Sequence, residues 1–177
     1  MARPADSSNR PGVVGWDVAC SRRLARLRRV RPVRWMALVL AHSGDSPLWM
    51  AIAIGLLLWG GATGSSIGRR ILVATILGGG TATLLKWVFR RERPGASFAG
   101  LYARLDRHAF PSGHATRAGC VTAGLAPLAP AGGACLLIAW AVLVCLARVV
   151  LGVHYLMDVL VGLAIGGALG LLLLVVL

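Results

Sequence analysis

Three short polar clusters interrupt a chain that is otherwise strongly apolar. Lys86 and Arg93 lie ahead of Pro94, Ser112-Gly113-His114 follow Pro111, and Arg148, His154 and Asp158 complete the series. Ionisable groups at membrane depth cost ~2.5–3.5 kcal/mol each on insertion scales, which makes them functional candidates. Lys86, Arg93 and Arg148 would gather three cations with few carboxylates close by, an arrangement that favours a multiply charged anion such as phosphate between them. Pro111 and Ser112 suit a helix start, and Gly113 lets the backbone come close to a ligand. Free N–H groups there, the positive end of the helix dipole and the Ser112 hydroxyl would together form an anion site.

Two histidines complete the chemistry. His154 and Asp158 are spaced i, i+4, on one face of a helix start, so the carboxylate can hold one imidazole nitrogen and support positive charge on the ring. That prepares His154 as a nucleophile. His114 has no such partner nearby in sequence and is expected to act as general acid. The expected reaction has two steps: His154 attacks phosphorus while His114 protonates the departing alcohol, then water activated by His114 hydrolyses the phosphohistidine. Lys86, Arg93, Ser112, Gly113 and Arg148 would hold the charge of the transferring group. The scheme calls for no metal and no cofactor.

The elements that must position these residues follow from composition. The chain has 177 residues, 57% hydrophobic and 14% charged, with 19 Lys+Arg against 6 Asp+Glu. Its mean hydropathy of +0.75 excludes a soluble domain and a disordered chain alike. The excess of arginine is not read as a nucleic-acid surface, because the remainder is too apolar; an all-α, polytopic transmembrane helix bundle is expected. Cys20, Cys120, Cys135 and Cys145 form no CxxC pair and are expected as small core hydrophobes.

A span needs ~20 mostly apolar residues. Five are expected: Ser46 to Gly68, Ile71 to Phe89, two within Ala118 to Ala147 divided at Pro127, Pro130, Gly132 and Gly133, and Val159 to Leu177. Gly78-Gly79-Gly80 suits close helix packing. Residues 13–43 carry arginines interleaved with leucine and valine, a basic amphipathic segment expected on the membrane surface, or as a weak sixth span, anchored by Trp16 and Trp35. Trp35 to Ala41 is too short for a signal-peptide core, so no cleavable leader is expected. Residues 1–12 are expected as a flexible tail and 44–177 as the bundle proper. Arg90, Arg91, Arg104, Arg107 and Arg117 are expected to face headgroups, Arg117 alternatively reaching the substrate, with Glu92, Asp106 and His108 as solvated loop residues. Antiparallel spans would put the polar clusters at four helix ends on one membrane face.

Lys86-(x6)-Arg93-Pro94, Pro111-Ser112-Gly113-His114 and Arg148-(x5)-His154-(x3)-Asp158 resemble the three motifs of the type 2 phosphatidic acid phosphatases, the membrane branch of the haloperoxidase-like superfamily. The resemblance covers roughly residues 45–177. It implies a six-helix core and metal-independent phosphatase activity on phosphatidate-like or isoprenyl phosphates and diphosphates. It also implies Lys86, Arg93, Ser112, Gly113 and Arg148 on phosphate, His114 as acid, His154 as nucleophile and Asp158 as its orienter. The third motif usually opens Ser-Arg, whereas Ala147-Arg148 stands here, so position 147 is left out of the site.

The expected function is hydrolysis of a lipid phosphate in the cell (inner) membrane, with the bilayer and its lipid as partners. A non-enzymatic lipid-binding protein of the same fold is the alternative. A haem protein ligated by His114 and His154 would leave the cations and Asp158 unexplained. Counting positive residues puts the site on the cytoplasmic face with five spans and on the outer face with six; the resemblance implies the outer face for bacterial members.

Overall fold

The computed structural model describes residues 12–94 and 108–177. Most of the expected tail and Arg104, Asp106 and Arg107 fall outside the described residues. Seven α-helices follow: α1 (Val13–Ala25), α2 (Arg31–Ser43), α3 (Ser46–Trp59), α4 (Gly61–Phe89), α5 (Gly113–Leu125), α6 (Ala131–Val150) and α7 (Leu156–Val176). Short 3-10 turns at Arg26–Arg29 and Ala126–Leu128 follow α1 and α5. The only extended pairing among the described residues is an isolated antiparallel bridge between Glu92, which is exposed as expected, and the half-buried His108.

The first expected span, Ser46 to Gly68, is not one helix. It breaks at Gly60-Gly61, and residues 61–68 belong to the 29-residue α4. A Cβ on Gly60 would lie 2.7 Å from the Gly64 Cα, and Gly61 holds φ +60, so the reversal needs glycine at both positions. Beyond it α4 runs back along α3, close enough that a Cβ on Gly68 would lie 2.8 Å from the Ala53 carbonyl. Among the described residues three helices are long and apolar enough to cross a membrane: α4, α6 and α7. The pair α2 and α3, bent by 48°, makes a fourth if the two are one broken span. At 13 residues α5 is too short to count by itself.

α5 lies at the centre, packed by α4, α6 and α7. Small residues permit this. A Cβ on Gly78 of α4 would come 3.1 Å from the Arg117 Cα, so the expected close packing occurs there. Along α7, Gly162, Gly166 and Gly170 face the α5 backbone; a Cβ on Gly162 would stand 2.9 Å from the Ser112 carbonyl, and one on Gly166 would collide with the Thr116 carbonyl. Such contacts bring backbones together as small-residue stripes do between membrane helices. α2 packs Ala37 and Ala41 on Ala147 and Val150 of α6. Cys120 and Cys145 are buried as expected, but Cys135 is exposed on α6, on a surface that suits an apolar solvent. The rings of Trp49 and Trp140 meet tilted at 52°, 4.8 Å between centroids, and both donate to Ser43, Trp49 to its carbonyl and Trp140 to its hydroxyl.

Candidate active site

The site is assembled from the starts of α5 and α7 and the ends of α4 and α6. Ser112, in extended conformation, caps α5, and its N–H donates to the Asp158 carbonyl at 2.9 Å, which fixes the two helix starts together. Its carbonyl accepts from both the N–H and the hydroxyl of Thr116. The Ser112 hydroxyl itself is fully buried and has no hydrogen-bond partner among the described residues. A buried polar atom left in that state is costly unless a ligand completes it. Next to it, a Cβ on Gly113 would stand 3.8 Å from the Lys86 Nζ. The ammonium therefore lies at the N-terminus of α5, where dipole and charge act on an anion together.

His154 and Asp158 are 1% and 0% exposed. The imidazole Nδ1 lies 3.7 Å from Asp158 Oδ2, within ion-pair range but beyond a hydrogen bond. Asp158 is held from other directions: Oδ2 accepts the Tyr155 N–H at 2.7 Å and Oδ1 accepts from Arg91 at 2.7 Å. Arg93 is near enough to act electrostatically on Asp158, and Arg148 near enough to act on His114. All eight residues singled out from the sequence thus converge on one end of the bundle.

Further residues complete the arrangement. His114 is not isolated: its Nε2 lies 2.8 Å from Asp45 Oδ1, while Asp45 Oδ2 faces His42 Nδ1 at 2.8 Å. Asp45 sits at the bend between α2 and α3, with its side chain 38% exposed. Arg117, expected at headgroups, is buried and donates to the Gly44 carbonyl at the same bend, at 2.6 Å. Arg91 was expected among headgroups too, and instead bridges two buried carboxylates, Asp158 and Asp17 of α1, at 2.7 and 2.6 Å. Burial draws its guanidinium down, but the bond to Asp17 and the charge of Asp158 outweigh that and hold it above the usual arginine value. It also lies 4.3 Å from the centre of the Tyr155 ring.

Asp17 and Ser21 reach across from α1 to cap α7. Met157 N–H donates to Asp17 Oδ1 at 3.0 Å, and Leu156 N–H to the Ser21 hydroxyl at 2.8 Å. Both N–H groups belong to the first turn and have no partner within their own helix. The available signal was scarcity: Asp17, Asp45 and Asp158 are three of only six acidic residues in the chain.

The profile described as the PAP2 superfamily matches residues 67–177, which include every residue of the three polar clusters. The chain belongs to the PAP2 superfamily. Among relatives, the lipid A 1-phosphatase of Rhizobium johnstonii is 32% identical over 158 residues, covering 76% of this chain and 64% of that one. The lipid A 1-phosphatase of Rhizobium etli is 36% identical over 110 residues, covering 58% of this chain and 47% of that one. The chain thus spans roughly half to two thirds of the length of these relatives. Among solved structures, the PAP2 type phosphatidylglycerolphosphate phosphatase of Bacillus subtilis superposes with a TM-score of 0.72 at 26% identity, covering 94% of this chain and 86% of that one. Aquifex aeolicus LpxE shares the fold, with a TM-score of 0.71 at 22% identity over 88% and 92% of the two chains. In this PAP2 protein α1, α2 and α3, with Asp17 on α1 and Asp45 at the bend between α2 and α3, precede the matched stretch.

Proposed function

We propose that this PAP2 protein is a metal-independent lipid phosphatase of the cell (inner) membrane, acting on a phosphomonoester or diphosphate of a phosphatidate-like or isoprenyl lipid. The observation that carries the reading is the buried, unsatisfied Ser112 hydroxyl at the start of α5, the helix end that the Lys86 ammonium approaches and that a backbone bond ties to Asp158. The names of the relatives support a lipid phosphate as substrate. In this reading α4, α6, α7 and the bent α2–α3 pair cross the bilayer, α5 is the fifth element inside the bundle, and the basic segment 13–43 meets the headgroups.

The phosphate sits on Lys86, Arg93, Ser112, the Gly113 N–H and Arg148, which stabilise charge as it develops. His154 Nδ1 faces Asp158, so Nε2 attacks phosphorus. The P–N bond forms as the bond to the lipid oxygen breaks, and that oxygen takes a proton from His114. Water then gives its proton to His114 and its oxygen to phosphorus, releasing inorganic phosphate and restoring His154. Asp158 orients the nucleophile and Asp45 supports the charge of His114.

Protein purified in non-ionic detergent with EDTA should release phosphate from at least one of phosphatidate, phosphatidylglycerophosphate and undecaprenyl diphosphate. His154→Ala, checked for folding by its thermal transition, should release none. Turnover in a folded His154→Ala variant overturns the nucleophile. Lipid binding without phosphate release by the unaltered chain would leave a binding protein of the same fold.

A further inference from the structure

Beside His154 opens a cavity of 240 Å³ whose far wall belongs to neither the three clusters nor the stretch matched by the family profile. That wall is Arg22, Arg26, Arg28 and Arg29, from α1 and the turn after it; His154 and Tyr155 line the near side. No carboxylate lines the cavity among the described residues. Among the arginines, the guanidinium groups of Arg26, Arg28 and Arg29 share one concavity, and an anion with several charged oxygens offsets their mutual repulsion while accepting forked hydrogen bonds. At about 30 Å³ for each water in the liquid, the volume is that of roughly eight waters, ample for a phosphoryl group.

The position of this wall relative to His154 is fixed. Asp17 and Ser21 dock α1 on the start of α7. Arg28 Nη1 donates to the Leu151 carbonyl at 3.0 Å, on the loop that leads to His154. Gly152 there holds φ +74, and a Cβ at that position would collide with the Arg28 guanidinium, so the seat of this arginine is shaped by a glycine. We propose that the arginine-lined cavity is a second anion subsite, which holds a further phosphate on the headgroup of the lipid whose first phosphate meets His154. The proposal rests on the phosphatase reading and narrows it: substrates with two neighbouring phosphates are favoured over those with one.

The test compares diacylglycerol phosphate with diacylglycerol diphosphate, which differ by one phosphate, in neutral micelles with the full chain. The diphosphate is expected to show a KM lower by about tenfold. Arg26→Gln/Arg29→Gln should shrink that ratio to about twofold or less, and Arg26→Lys/Arg29→Lys should restore part of it. Arg23→Gln/Arg31→Gln, which removes the same charge from the segment outside the cavity, should keep the full ratio. Equal KM values in the unaltered chain, or an equal collapse in the Arg23/Arg31 variant, overturn the subsite. A second arm needs no turnover. Modification of Arg26 and Arg29 by phenylglyoxal, read peptide by peptide, should be slowed by diacylglycerol diphosphate more than by diacylglycerol phosphate. Protection by inorganic pyrophosphate alone would assign the cavity to a free anion and overturn the headgroup assignment. Failure to release phosphate from either lipid strikes the phosphatase reading, while the protection arm still decides the subsite.

Discussion

Asp45 shows how one exposed carboxylate can serve a buried site. Its side chain is 38% exposed, yet it accepts from His114 on one oxygen and meets His42 on the other. Asp45→Asn keeps the shape and removes the charge that stabilises protonated His114. Phosphate release is expected to fall by about ten- to a hundredfold, below the full worth of a general acid, mainly in kcat, with the thermal transition unchanged; steady-state kinetics on one lipid phosphate checks it. The eight residues that converge at the site could be found in the sequence because each lies in a short motif with a fixed spacing. Asp17, Asp45 and Arg91 could not be placed that way. Their partners are 140, 69 and 67 positions distant, and no local periodicity records such a pairing. Arg91 was the harder case, because an arginine beside Arg90 at a helix end has an ordinary explanation in headgroup contact.

At the scale of elements, the helical character of the chain was legible from its apolar runs, and so was the break near Pro127 and Pro130, where α5 gives way to a 3-10 turn and α6 begins at Ala131. The division between α3 and α4 was not legible. Residues 46–68 carry no charge, and hydropathy alone does not distinguish a continuous span from a hairpin that turns at two glycines. The glycines of α7 carry a sharper prediction. Gly166→Ala drives a Cβ into the Thr116 carbonyl, whereas nothing lies within 4 Å of a Cβ on Gly167. Overpacking of this kind costs about 1–3 kcal/mol. Gly166→Ala should therefore lower the thermal transition in detergent by several degrees, at about 2–4 °C per kcal/mol for a chain of this size. Gly167→Ala should leave it unchanged. A matching fall in both variants would deny the α5–α7 contact its role.

Across the whole molecule, Arg91 ties the amino-terminal helix to the start of α7. Its two carboxylate partners have side chains 2% and 0% exposed. Arg91→Gln strands two buried negative charges side by side, a loss that in comparable buried pairs costs about 3–5 kcal/mol. The unfolding transition should drop by about 10 °C, and phosphate release should fall with it. Arg91→Lys, which cannot fork between two acceptors, should recover only part of either. The bridge also orders events in time. The cap of α7 comes from residues made some 135 to 140 positions earlier, so Asp17 and Ser21 have these partners only after α7 has been made. In the proposed reaction, a ribosome-bound chain that stops short of residue 156 has Lys86, Arg93 and Arg148 in place but lacks the Asp158 that would orient His154, so hydrolysis of a lipid phosphate would begin only once α7 has formed.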